Sequence, residues 1–113
     1  MARVVAFIPD LLFGSNVVGM LKAAGHEVQL TSAPSGEADL LVVDLTAEAP
    51  QRLEQVREVR RPSLRTLAFY AHVEADVRAA ALEAGFDLVV PRSRMAREGP
   101  ALVERVLAAD ACD

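Results

Sequence analysis

The sequence predicts an α/β domain with a parallel sheet carrying helices on both faces, and three observations carry that prediction. Short apolar runs rich in Val, Leu, Ile and Phe recur along the chain, at residues 3–8, 40–45, 64–70 and 86–90. Longer segments between them place apolar residues at helical spacing, and Gly or Pro stands at the joins. Strands buried on both faces read as continuous apolar runs, and strands alternating with helices at this spacing build parallel sheets.

Each element follows in order. Residues 3–8 form the first strand, ended by Pro9 and Asp10. Ser15 is expected to cap a helix reaching about residue 24, with Val17, Val18, Met20, Leu21 and Ala24 inward and Gly25 stopping it. Residues 26–30 form a second, more amphipathic strand whose first residue, His26, is expected to be exposed, and residues 40–45 form a third. Pro50 suits the first turn of a helix with Leu53, Val56 and Val59 on its inner face, Glu54 and Glu58 lying among arginines outside. Residues 64–70 give the fourth strand, residues 74–84 an Ala-rich helix stopped by Gly85, and residues 86–90 the fifth strand. Pro100 is expected to open the last helix, with Leu102, Val103, Val106 and Leu107 on one stripe.

One connection breaks the pattern. Only residues 31–39 join the second and third strands, fewer than the dozen or so that a parallel crossover with its own helix takes. The second helix is therefore expected to be shortened or missing. A bare apolar area beside residues 26–30 would follow, and with it a contact for a second subunit or partner.

Totals narrow the function. A chain of 113 residues is read as a single domain, residues 1–113, and its 52% apolar and 25% charged composition is that of a globular protein. A net charge of -4, with four Phe, one Tyr and no Trp, offers nucleic acid neither a basic surface nor a stacking platform. Cys112 has no partner for a disulfide or a CxxC metal site, which suits a reducing cytoplasm. The opening MARVVAFIPDLLFG is broken by Pro9 and Asp10 and lacks a cleavage signal, and no apolar stretch is long enough for a membrane span. A cytoplasmic location with no membrane and no nucleic-acid partner is expected.

Open parallel sheets bind ligands beyond the carboxyl ends of their strands, so the residues following each run are the candidate site. After the first strand come Asp10, Ser15 and Asn16; after the third, Asp44 and Thr46; after the fourth, Tyr70 and His72; after the fifth, Arg92, Ser93 and Arg94.

The phrases LKAAGHEV, DLLVVDL, AFYAHVEADVRAAALEAGFD and EGPALVERVLA together make the chain resemble the receiver domain of bacterial response regulators. They span nearly all of it apart from the missing second helix. The resemblance implies a flavodoxin-like three-layer sandwich with five parallel strands in the order 2-1-3-4-5. It also implies Mg2+ held by two acidic residues after the first strand and one at the end of the third, the last being the phosphoryl acceptor. A hydroxyl residue after the fourth strand and a lysine after the fifth would contact the phosphoryl group.

Asp44 keeps the acceptor position, but the acidic pair falls on Ile8 and Pro9, the hydroxyl position holds Tyr70, and the lysine position holds Arg92. Mg2+ requires several hard oxygen ligands, and Ile8 and Pro9 supply none. Arg92 keeps a positive charge without the compact ammonium of lysine. The expectation is a stand-alone pseudo-receiver, not an enzyme and with no cofactor or metal. It would act in signalling through a protein partner or as a homodimer, with Asp10 and Asp44 paired to Arg92.

Other readings compete. Asp44 could end a strand and either pair with Arg92 or cap a loop amide, and His72 could sense pH, pair with Asp44 or be an ordinary surface histidine bonded to a backbone group. Phe13 and Met95 read as packing or interface residues rather than members of a cofactor site. Arg92, Ser93 and Arg94, with the Ser15 and Asn16 amides, could hold a phosphate or nucleotide in a small-ligand module, although the chain has neither G-x-G-x-x-G after its first strand nor a Walker A sequence. Ser15, Asp44 and His72 occur in the chain order of an α/β-hydrolase triad, but the G-x-S-x-G elbow is absent.

Overall fold

Apolar runs and helical stripes resolve, in a computed structural model describing residues 2–109, into five strands and four helices. In chain order they are β1 (Arg3–Phe7), α1 (Leu11–Ala23), β2 (Glu27–Thr31), β3 (Leu40–Asp44), α2 (Ala49–Val59), β4 (Arg65–Tyr70), α3 (Ala75–Glu83), β5 (Leu88–Pro91) and α4 (Arg92–Ala109). All strands pair in parallel in the order β2-β1-β3-β4-β5. This is the predicted flavodoxin-like order. Cys112 lies outside the described residues.

Strand alternation divides the core between the two faces. Val4, Ala6, Leu40, Val42, Leu67 and Phe69 pack with Val17 and Leu21 of α1 and Leu102, Val103 and Val106 of α4. Val5, Phe7, Leu41, Val43, Ala68 and Tyr70 pack with Val56 of α2 and Ala81 of α3 on the other face. Both members of a consecutive pair such as Leu41-Val42 are therefore buried, which is why the runs do not alternate in polarity.

Several local expectations are corrected. Asp10, not Ser15, caps α1: its Oδ1 accepts the Phe13 N–H at 3.1 Å. Ser15 lies a full turn inside the helix, because the chain turns helical directly after Pro9-Asp10. Gly25, at φ +97°, ends α1 as expected, but Ala24 is exposed. His26 is buried rather than exposed. Pro100 stands in the first turn of a helical stretch, as expected, but another stretch opened by Arg92 precedes it, and the two join at a non-helical residue, Glu98 (φ -126°). Pro100 tolerates that position because the kink precedes it.

The second helix of the receiver pattern is missing. Residues 32–39 form a loop held by Arg61, whose Nε donates to the Gly36 carbonyl at 2.5 Å and whose Nη2 lies 3.4 Å from the Ala38 carbonyl. A Cβ on Gly36 would stand 2.6 Å from the Val59 carbonyl oxygen, so the approach requires glycine. The bare area beside β2 is not apolar as expected. Val28 and Leu30 belong to the α1 side, and a hollow on that part of the sheet is lined by Arg3, Glu27, Gln29 and Glu37 among others. The strand has placed its polar residues where the helix is lacking.

Candidate functional site

Asp44 is the last residue of β3 and is 3% exposed. Its Oδ1 accepts the Thr46 N–H at 2.8 Å and the Thr46 hydroxyl at 2.5 Å. The guanidinium of Arg52 supplies the opposite charge: Nη1 donates to the Asp44 carbonyl at 2.8 Å and lies 3.6 Å from Oδ2. Arg52 stands one turn into α2, four residues before Val56, so it belongs to the inward stripe of that helix. Its side chain is 11% exposed and its Cζ is 6.0 Å from the centre of the Phe7 ring. A buried carboxylate needs such a partner.

This corrects the predicted partner. The expectation is that Arg92 serves both aspartates, but among the described residues it pairs with Asp10 and not with Asp44, Nη2 to Oδ2 at 3.6 Å, while its Cζ sits 4.4 Å over the Phe13 ring. Asp44 is out of that pairing because α2, entering directly after β3, delivers Arg52 from the same side. The missed signal was legible in principle, since an arginine on an apolar helical stripe must find an anion or stay partly wet.

The remaining candidates do not converge on one point. Tyr70 packs inward with the α2 and α3 core and is buried. Thr46 is half-buried and spent on Asp44. Ser15 and Asn16 are exposed in the body of α1, where backbone amides are committed to the preceding turn, so those amides do not form an anion cradle. His72 and Ser93 are exposed, and Arg94 reaches along its own helix to Glu98 at 3.5 Å. Among the described residues no hydrogen bond links Ser15, Asp44 and His72, so the hydrolase arrangement is not assembled. Phe13 and Met95 are core residues, as expected, with Phe13 5.0 Å from Phe69 between ring centres.

The Mg2+ that a receiver pattern implies does not fit this rim. Ile8 is buried in the α1 and α4 core, the Pro9 side chain has no donor, and Asp10 is engaged by the Phe13 amide and Arg92. Among the described residues no group of three His, Cys, Asp or Glu side chains could hold a metal ion. No described helix is long and apolar enough to cross a membrane.

No protein-family model and no curated protein matches the chain. Solved structures do. A receiver protein from Burkholderia phymatum superposes with a TM-score of 0.80 at 20% identity, covering 96% of each chain. A LuxR-family two-component response regulator from Aurantimonas sp. SI85-9A1 gives 0.73 at 26% identity, covering 96% of this chain and 86% of that one. NtrX from Brucella abortus, solved with ADP, gives 0.79 at 16% identity over 98% of this chain, which spans only 27% of the NtrX chain. With its 2-1-3-4-5 sheet and these likenesses, the chain has the fold of a response-regulator receiver domain and is receiver-like.

Proposed function

We propose that this receiver-like domain works in regulation through protein–protein contact, with Asp44 serving as a structural anchor rather than a phosphoryl acceptor. The observation that carries the reading is the occupation of Asp44. Both its oxygens face partners from the protein itself: Thr46 on Oδ1 and Arg52 beside Oδ2. Phosphoryl transfer to a carboxylate gathers negative charge that a divalent cation must offset. Here the offsetting cation is a fixed guanidinium, and the side chains that would seat a metal are apolar or engaged. On this reading the domain has no catalytic role, resides in the cytoplasm, and meets a protein partner or a second copy of itself.

The test is incubation with Mg2+ and acetyl phosphate followed by intact-mass measurement. The expected outcome is an unmodified chain. A labile phosphoryl adduct that disappears in Asp44→Ala would overturn the proposal.

A further inference from the structure

At the edge of the sheet opposite Asp44, beneath the amino ends of the strands, lies a hollow of about 390 Å3 bordered by Ala2, His26, Asp39, Ser63, Arg65 and Glu104. His26 sits in its wall with a side chain 4% exposed. The Nδ1 atom accepts the Ala2 backbone N–H at 3.2 Å, and Nε2 lies 2.8 Å from Glu104 Oε2. An imidazole that accepts at Nδ1 carries its proton on Nε2, so the neutral ring donates to the Glu104 carboxylate. One side chain thus ties the start of β1 to α4.

These two ties respond to a proton in opposite ways. A proton added at Nδ1 turns that nitrogen into a donor facing the Ala2 N–H, and that hydrogen bond is lost. The imidazolium then holds Glu104 through a charge-assisted bond. We infer that His26 is a proton-operated exchange latch, which releases the first strand as it grips the last described helix. The grip falls on the part of α4 beyond the Glu98 kink, where Leu102, Val103 and Val106 supply the apolar packing and Glu104 the polar tie.

Among the described residues, three charged groups border the hollow with the ring. Glu104 comes from α4, Asp39 from just before β3 and Arg65 from the start of β4. Asp39 receives the Arg3 N–H on Oδ2 at 2.9 Å, which fixes its negative charge beside the same strand. Lys22 and Glu27, the nearest charges in sequence, are exposed. Glu104, with a side chain 64% exposed, gives water and protons a way to the ring. The latch is independent of the fate of Asp44.

With only two histidines, the full chain suits a nitrogen NMR titration from about pH 8 to pH 5, the range in which histidine charge is usually decided. As pH falls, the expected result is that His26 Nδ1 changes from acceptor to protonated nitrogen. Ala2 amide protection, corrected for intrinsic exchange, should drop about tenfold, the loss of one hydrogen bond. Resonances around Glu104 should shift in step. Glu104→Gln should keep the Ala2 response and remove that of α4; His26→Gln should remove both; His72→Gln should change neither. The latch is overturned if the ring stays neutral throughout, if Ala2 ignores its titration, if His26→Gln retains the response, or if protection falls across the whole sheet together.

Discussion

Two aspartates stand at the carboxyl rim of the sheet, and each has an arginine nitrogen 3.6 Å from a carboxylate oxygen, yet their surroundings separate them. Asp44 and Arg52 have side chains 5% and 11% exposed, whereas Asp10 and Arg92 are each 47% exposed. Equal distance does not mean equal energy. Water screens the outer pair and can replace either partner, so it resembles other surface pairs in contributing little. Water cannot readily replace a lost partner of the inner pair, so removing one side leaves a charge stranded.

The sharpest way to break the comparison is Arg52→Ala. Among the described residues it leaves the Asp44 carboxylate with the Thr46 hydrogen bonds, and it should lower unfolding free energy by about 3 kcal/mol in chemical denaturation. A loss below about 1 kcal/mol would place the inner pair with the outer one.

At the outer pair the charges should matter less than the cap. Asp10→Ala removes the acceptor for the Phe13 amide and should cost about 1 kcal/mol, while Asp10→Asn keeps an acceptor and should cost less than about half of that. Arg92→Ala loses the exposed pair and its stacking on Phe13, with an expected cost below about 1 kcal/mol. If Asp10→Asn cost as much as Asp10→Ala, the ion pair rather than the cap would be stabilising this corner.

The smallest effect belongs to Glu54 on the wet face of α2. The hydrogen bond from Arg57, and next its charge, hold the Glu54 carboxyl below the usual carboxylate value. A carboxyl with a depressed folded-state value stabilises the fold above its ordinary titration range and loses that contribution as pH falls through the depressed value. Both side chains are exposed to water. Glu54→Gln should therefore give a barely measurable drop in midpoint at neutral pH, absent in acid and abolished by molar salt.

Much of the framework was legible in the chain. Runs such as DLLVVD declare strands covered on both faces, and the short segment before Leu40 leaves no room for a crossover helix. Where local reading failed, two signals of similar strength competed. Asp10 and Ser15 are both good caps, and the choice fell to Asp10 because the helix begins immediately after the strand. Pro100 does mark the first turn of a helical stretch, but the stretch opened by Arg92 before it carries no comparable start signal. Ala24 and His26 exchanged their expected exposures because the burial of a turn depends on what packs over it.

By itself the sequence determined the alternation of strands and helices and the absence of acidic side chains at Ile8 and Pro9, since these follow from residue type and spacing along one chain. Tertiary structure alone decided that Asp44 answers to Arg52, Asp10 to Arg92, and His26 to Ala2 and Glu104. Charge pairing and hydrogen bonding act over a few ångströms, and which groups come that close is set by how helices cross the sheet, not by their separation along the chain.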